Sequence, residues 1–182
     1  MARSDNLVWI DLEMSGLDPE MDVILEIATI VTGPDLRIIA EGPNLVIHQP
    51  EEIIDGMDEW NTTHHGDSGL IDRVRESELT LSEVETRTLE FVQAYTEEGK
   101  APLCGNTIGQ DRRFLYKYMP RLSSWLHYRN VDVSSIKELV SRWYPEEMHA
   151  PTKKSNHRAL DDIRGSIEEL KWYRDYVFVS QY

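Results

Sequence analysis

Leu7-Val8-Trp9-Ile10-Asp11-Leu12-Glu13, closed by Met14-Ser15-Gly16-Leu17-Asp18-Pro19, is the stretch on which the fold turns. An apolar run ending in two acids and a Gly/Pro turn reads as a buried strand that delivers carboxylates to a sheet edge. Side chains two apart on a strand share a face, so Asp11 and Glu13 point one way and Leu12 the other. Like charges that close raise each other's pKa unless a cation lies between them. Taken alone, the stretch fits equally well a strand whose acids simply face water.

Working outward, Val23 to Val31 is rich in β-branched residues and predicts a central strand, broken by Gly33-Pro34-Asp35. Leu36 to Ile47 carries two apolar runs around Gly42-Pro43, a third strand with a bulge. Short turns between the three suggest an antiparallel meander. Short helices are expected over Glu51 to Asp58 and Gly69 to Glu76, flanking a polar loop at Trp60 to Gly66. Leu81, Val84, Leu89, Val92 and Tyr95 recur at helical spacing behind Thr80 or Ser82 as N-cap. Pro102 to Asn106 reads as a short strand, Gln110 to Met119 as a helix stopped by Pro120, and Val131 to Val133 as an extended piece. A helix from about Ser134 to Trp143, a polar loop from Pro145 to Asn156 and a long helix from about Arg158 to Tyr176 complete the chain. Strands first, then alternating helix and strand, predict a single α/β domain with a mixed β-sheet flanked by helices.

Composition narrows the function. With 33 acids against 19 bases the net charge is -14. Binding long nucleic acid through many phosphates needs a basic track, which this balance disfavours. A small site where a metal and a few basic groups hold a short anionic ligand remains open. No apolar run approaches the roughly 20 residues of a membrane span, and residues 1–6 lack the apolar core of a signal peptide. One cysteine, Cys104, permits no internal disulfide. A cytoplasmic protein is expected.

Two later acids stand out. At 100° per residue Asp111 falls between Phe114 and Leu115, with Tyr118 aligned two turns on, so it lies on the apolar stripe of its helix. A buried carboxylate is costly unless paired or bound to metal. The alternatives are a helix-initiating Asp or an ion pair to Arg112 or Arg113, but those arginines project from other faces. In the last helix Leu160, Ile163, Ile167 and Leu170 set the core stripe; Asp161 points nearly opposite it, whereas Asp162 flanks it. His157, just before that helix or in its first turn, can be aimed at the same spot. Four carboxylates from three segments converge only if cations neutralise them, and all-oxygen ligation favours Mg²⁺ or Mn²⁺ over zinc. Two such ions about 3.5–4 Å apart would clamp a phosphodiester during in-line displacement.

Asp11-Leu12-Glu13, the segment Asn106 to Asp111, and His157-Arg158-Ala159-Leu160-Asp161-Asp162 resemble the three motifs of the DEDDh 3′–5′ exonucleases. Trp9 to Met14, Cys104-Gly105-Asn106 through Phe114-Leu115, and His127-Tyr128-Arg129 extend the likeness to the oligoribonuclease branch over essentially the whole of residues 1–182. The resemblance implies an RNase H-like fold, two divalent metals, and release of 5′-mononucleotides from the 3′ end of very short RNA, dinucleotides above all. It implies that Asp11, Glu13 and Asp162 ligate metal, Asp11 bridging both ions, with Asp111 acting directly or through water. His157 would be the general base, a role its unperturbed pKa suits.

The same resemblance makes Leu17 a wedge between two bases, where buried packing is the ordinary reading. Trp60 and His65 would contact bases, stacking being worth about 1–3 kcal/mol per base, although Trp60 fits core packing equally well. Tyr128 and Arg129 would cross a homodimer interface into the partner's site, while Arg129, Ser134, Lys137 and Thr107 cap the substrate's 5′ phosphate. Competing readings are a DEDDh exonuclease acting on tRNA 3′ ends or DNA, a non-catalytic nucleic-acid-binding module, and a calcium-type structural site. The binding module predicts a lost ligand, whereas all five motif positions are intact, and the calcium site leaves His157 without a purpose.

Overall fold

The computed structural model describes residues 4–151 and 158–178. Its centre is a five-stranded sheet built from β1 (Leu7–Met14), β2 (Ile24–Thr32), β3 (Ile38–Val46), β4 (Pro102–Gly105) and β5 (His127–Asp132). The spatial order is β3-β2-β1-β4-β5, which puts β1 in the middle. The first three strands pair antiparallel, and β1, β4 and β5 pair parallel. The mixed α/β sheet expected from strands first and alternation later is the one observed. Irregular register between β2 and β3 supplies the bulge expected near Gly42-Pro43.

The helices are α1 (Glu51–Asp55), α2 (Glu59–Asp67), α3 (Leu70–Glu76), α4 (Leu81–Tyr95), α5 (Gly109–Tyr118), α6 (Pro120–Trp125), α7 (Val133–Trp143) and α8 (Ala159–Tyr176). Strand parity in β1 divides the core between them. Val8, Ile10 and Leu12 pack with Val84 and Val92 of α4, Phe114 and Leu115 of α5, and Leu122 of α6. Trp9 faces the other way, into Val133 and Val140 of α7 and Ala159, Ile163, Ile167 and Leu170 of α8. Asp11 and Glu13 share the parity of Trp9, so the sheet carries them to the face covered by α8. With helices on both sides, β2 is buried at all nine positions, Glu26 included.

Capping chemistry accounts for several boundaries. Thr80 and Glu83 form a reciprocal capping box at the start of α4. One expectation is corrected and two are extended. Trp60 to Gly66 is helix, not loop: Asp58 caps α2 by accepting from the Asn61 backbone N–H (2.8 Å) and from the Asn61 amide (3.0 Å). Its largely polar sequence hides the helix from a periodicity test. Pro120 ends α5 but also opens α6, because a residue lacking N–H costs nothing at a first helical position. The extended piece expected at Val131 to Val133 is longer and starts earlier: β5 already begins at His127, and Val133 opens α7. Tyr128, Arg129 and Asn130 are all exposed on that edge strand, so it has no inside–outside alternation to read.

Candidate active site

Three of the four acids singled out meet. Asp11 and Glu13 at the end of β1 and Asp162 in the first turn of α8 offer carboxylate oxygens that all lie within 4.8 Å of one another. The strand supplies two because residues two apart share a face, and α8 supplies the third because it packs on that face. Asp161, one position away, behaves as the solvated surface acid expected. It pairs with Arg164 (3.3 Å), which reaches on to Glu41 (2.8 Å).

Asp111 stands close enough to Asp11 to be the largest charge raising it, and it also braces the strand. It is only 7% exposed, as its place on the apolar stripe requires. Its Oδ1 accepts a hydrogen bond from the Leu12 backbone N–H at 3.0 Å. β4 pairs with β1 only as far as Trp9, so beyond the end of β4 the Asp111 carboxylate takes over as the acceptor for β1. This fixes the backbone between the two acids of the strand. The ion pairs to Arg112 and Arg113 that the sequence left open do not form: Arg112 donates to the His127 carbonyl and Arg113 to Gln110 Oε1.

The electrostatics are those of a site built for a cation. Burial, then the charges of Asp111, Glu13 and Asp162, hold Asp11 well above the usual carboxylate range. Burial, then Glu26, Asp162 and Asp111, push Glu13 up to about 8, with Arg73 opposing. Burial raises Asp111 to about 7 against the lowering effect of the Leu12 N–H. Clustered, desolvated oxygen donors of this kind fit a hard divalent cation, whose charge removes the cost of keeping them ionised.

Glu26 was missed in reading the sequence. It stands directly across from Glu13 in the β1–β2 register and is 1% exposed. Arg73 of α3 donates to its two carboxylate oxygens from both terminal guanidinium nitrogens, at 2.5 and 3.3 Å. A lone Glu inside the apolar run Ile24 to Val31 was the available signal. Arg73→Ala leaves this buried charge unpaired beside Glu13. Breaking a buried pair costs about 3–5 kcal/mol, and the partial exposure of Arg73 brings the expectation to about 2–4 kcal/mol, measurable by urea unfolding.

His65 lies beside the cluster. Its Nε2 is 2.9 Å from the Met14 carbonyl, which can only accept, so that nitrogen carries the proton. Its Nδ1 faces Glu13 Oε2 at 4.0 Å. Burial pushes its pKa down, which keeps the ring neutral at pH 7.

Leu17 is 70% exposed, not packed away as the ordinary reading of an apolar turn residue has it. Its turn is nevertheless fixed. The Ser15 hydroxyl and the Asp18 N–H both donate to Asp22 (3.0 Å each). From α5, Gln110 donates to the Leu17 carbonyl, Lys117 to the Pro19 carbonyl (2.5 Å) and Tyr118 to those of Pro19 and Asp22 (3.0 and 2.7 Å). Gly16 admits Asp22 where any Cβ would collide with that carboxylate.

Trp60 is 61% exposed and stacks on His64 with ring centroids 3.9 Å apart, so it is no core residue. Tyr128, 73% exposed, stands on edge strand β5 beneath the Arg129 guanidinium, 5.3 Å from its ring centroid. Thr107 and Ser134 are brought together: the Thr107 N–H lies 3.0 Å from Ser134 Oγ and 3.1 Å from Asp132 Oδ1, and the two hydroxyls are 3.1 Å apart. Thr107 holds a positive φ of 52°, a strained conformation kept by these bonds. Lys137 projects from the next turn of α7. His157, the expected base, lies outside the described residues.

Residues 8–170 match the family model described as exonuclease (RNase_T). The oligoribonuclease of Dichelobacter nodosus is 58% identical over 180 residues, covering 99% of each chain. That of Pseudomonas aeruginosa is 57% identical over 176 residues, 97% of this chain and 98% of the relative. Among solved structures, exonuclease I from Methylocaldum szegediense superposes with a TM-score of 0.72 at 20% identity, over 94% of this chain and 41% of that one. E. coli exonuclease I in complex with a dT13 oligonucleotide gives 0.73 at 16% identity, again over 94% and 41%. This chain therefore spans about two fifths of those exonucleases, and with them the likeness is one of fold. Full-length identity to the curated relatives is a stronger bond: the chain belongs to the oligoribonuclease family of exonucleases.

Proposed function

We propose that the protein is a 3′–5′ exoribonuclease that hydrolyses very short RNA, dinucleotides above all, to 5′-mononucleotides. The convergence of Asp11, Glu13 and Asp162 within 4.8 Å carries the reading. Two divalent ions, Mg²⁺ or Mn²⁺, would be held by these three carboxylates, Asp11 and Glu13 from the strand and Asp162 from α8. When bound, such ions supply Lewis-acid stabilisation of the attacking and leaving oxygens of an in-line displacement. Asp111 would act on the metal directly or through water, and its carboxylate keeps the strand between Asp11 and Glu13 in place through the Leu12 N–H. His157 takes the proton of the attacking water as the P–O3′ bond breaks, a role assigned from its motif alone. The nucleotide released keeps its 5′ phosphate, and the shortened RNA is left with a free 3′ hydroxyl.

Substrate length is limited by what surrounds the acids. The braced, exposed Leu17 would wedge between the two bases. Trp60, presented on α2 and stacked on His64, offers a face to a base. The His65 ring, held by Met14, has its Nδ1 free of a proton to accept from a ribose hydroxyl. Thr107, Ser134 and Lys137 would close over the 5′ phosphate. Arg129, with Tyr128, would arrive from a partner subunit, since both stand exposed on an edge strand, the place where a second copy can reach. An acidic protein then binds short RNA through a slot, with no track for a long one. Among the described residues no helix is long and apolar enough to cross a membrane, and a cytoplasmic location fits that chemistry.

Initial rates with Mn²⁺ on a dinucleotide, a 20-mer RNA and a 20-mer DNA test the proposal. The dinucleotide is expected to turn over at least ~10-fold faster than either 20-mer, the worth of one well-made contact to its 5′ end. Comparable turnover of dinucleotide and 20-mer RNA overturns it. Preference for the DNA selects the alternative of a DEDDh enzyme acting on DNA, and preference for a tRNA 3′ end selects the tRNA-trimming one.

A further inference from the structure

Asp162, Ser166, Glu169 and Tyr173 follow one another at helical spacing and form a polar stripe along α8, on a face that is otherwise apolar. Glu169 is its least expected member, a carboxylate buried at 6% exposure some two turns from the metal-ligand end of the helix. The Tyr173 hydroxyl donates to its Oε1 (3.1 Å) and the Asn106 amide to its Oε2 (3.2 Å). Lys137 Nζ approaches Oε1 at 3.8 Å, and that lysine side chain is 64% exposed. Asn106 completes the connection. Its amide also donates to Ser166 Oγ (2.9 Å), its carbonyl oxygen accepts from the Ser134 hydroxyl (3.3 Å), and Ser166 in turn donates to the Asp162 carbonyl (2.9 Å).

Every residue of the suggested 5′-phosphate cap on this chain is thus tied, directly or through Asn106, to one buried acid. We propose that Glu169 is a positioning residue that sets specificity for the substrate's 5′ end. It holds the ammonium of Lys137 in the phosphate-binding pose and orients Asn106, which orients Ser134 and through it Thr107. The inference rests on the reading that Lys137, Ser134 and Thr107 receive the 5′ phosphate. A lysine carries several rotatable bonds, and fixing one before the ligand arrives removes an ordering cost from binding. Attraction alone would call for no carboxylate beside a phosphate site, since its charge repels the ligand. Burying one there makes sense as an anchor for the lysine and the asparagine, at the cost of some attraction.

The test compares a dinucleotide bearing a 5′ phosphate with the same dinucleotide bearing a 5′ hydroxyl, and reads the ratio of their kcat/KM values. Glu169→Gln keeps the shape and can still accept from Asn106 while Tyr173 turns to accept from the new amide, but it releases Lys137. It is expected to lower the ratio about 3–10-fold, the worth of ordering one such side chain, through KM for the phosphorylated substrate. Adding Lys137→Ala should lower the ratio no further than Lys137→Ala does alone. A residue that merely supports the fold would depress both substrates together and leave the ratio unchanged, which overturns the proposal. Should Glu169→Gln fail to fold, Glu169→Asp, which withdraws the charge by one methylene, is read the same way, and an unchanged ratio overturns it equally. If Lys137→Ala leaves the ratio unchanged, the cap reading itself falls. If Lys137→Ala lowers the ratio and the Glu169 variants do not, the cap stands and the role given to Glu169 falls.

Discussion

Asp162→Asn should lower phosphodiester cleavage by about 10³-fold or more, while Asp161→Asn, one residue away, should leave it within a factor of about two. Loss of a residue that only supports a metal ligand costs roughly 10–100-fold, so loss of a ligand should cost more. The neighbouring acids differ only in where α8 points them. Asp162 joins Asp11 and Glu13 in a cluster whose oxygens lie within 4.8 Å, whereas Asp161 turns out to Arg164. Asp11→Asn and Glu13→Gln should follow Asp162→Asn. Steady-state kinetics on a dinucleotide at saturating Mn²⁺, with circular dichroism to show that each variant is folded, make the comparison. Equal losses in Asp161→Asn and Asp162→Asn would mean that the cluster is not the reactive centre.

The metal-free protein should lose stability as the pH rises from about 6.5 to 8. Glu13 titrates near 8 when folded and at 4.5 ordinarily, and Asp111 near 7 in place of 3.8. In the interval between, the folded chain keeps protons that the unfolded chain has released. The unfolded state then binds fewer protons, and stability falls with rising pH. The penalty is absent below about pH 4, where both states are protonated, and complete above about pH 8. His65 runs the other way: its lowered pKa means that protonation favours the unfolded chain as the pH falls below 6.5, so the decline due to the acids is cleanest above that value. One pKa unit corresponds to about 1.4 kcal/mol. With relaxation and entering water reducing the shifts, a loss of about 1–2 kcal/mol, or roughly 2–8 °C in Tm, is expected across the window. Millimolar Mg²⁺ or Mn²⁺ should restore most of it at pH 8 and do little at pH 5. Glu13→Gln, which removes the charge, should flatten the pH profile and weaken the response to metal. Differential scanning calorimetry between pH 5 and 8 checks both, and a stability that rises toward pH 8 without metal would contradict them.

What could be read in the sequence was whatever depends on periodicity. Parity along Leu7 to Glu13 placed Asp11 and Glu13 on one face, and the packing of Trp9 against α7 and α8 shows which face it is. Helical angles put Asp111 among Phe114 and Leu115 and separated Asp162 from Asp161, and both the placement and the separation hold in space. Signals carried by capping, edge position or tertiary pairing escaped. Helix α2 depends on Asp58 as its cap and has a largely polar sequence, so Trp60 to Gly66 passed for a loop. Strand β5 lies at an edge, where Tyr128 to Asn130 all face outward and no alternation marks them. That Asp111 would bind the Leu12 N–H follows from where β4 stops, which no local pattern reveals. Glu26 is an acid among apolar neighbours, visible as an anomaly, whereas Glu169 follows Glu168 and passes for surface; their partners Arg73, Asn106 and Lys137 come from distant segments that only the fold brings close.

One measurement bears most directly on the claim that a carboxylate-held metal site here works on RNA of very limited length. It is a time course on a ladder of 5′-labelled RNAs from two to seven residues, with and without chelator. The expected result is loss of the dinucleotide first and fastest, slow stepwise shortening of the longer chains from their 3′ ends without accumulation of labelled dinucleotide, and no reaction with chelator present. Accumulation of labelled dinucleotide, or cleavage that persists in chelator, would contradict the account.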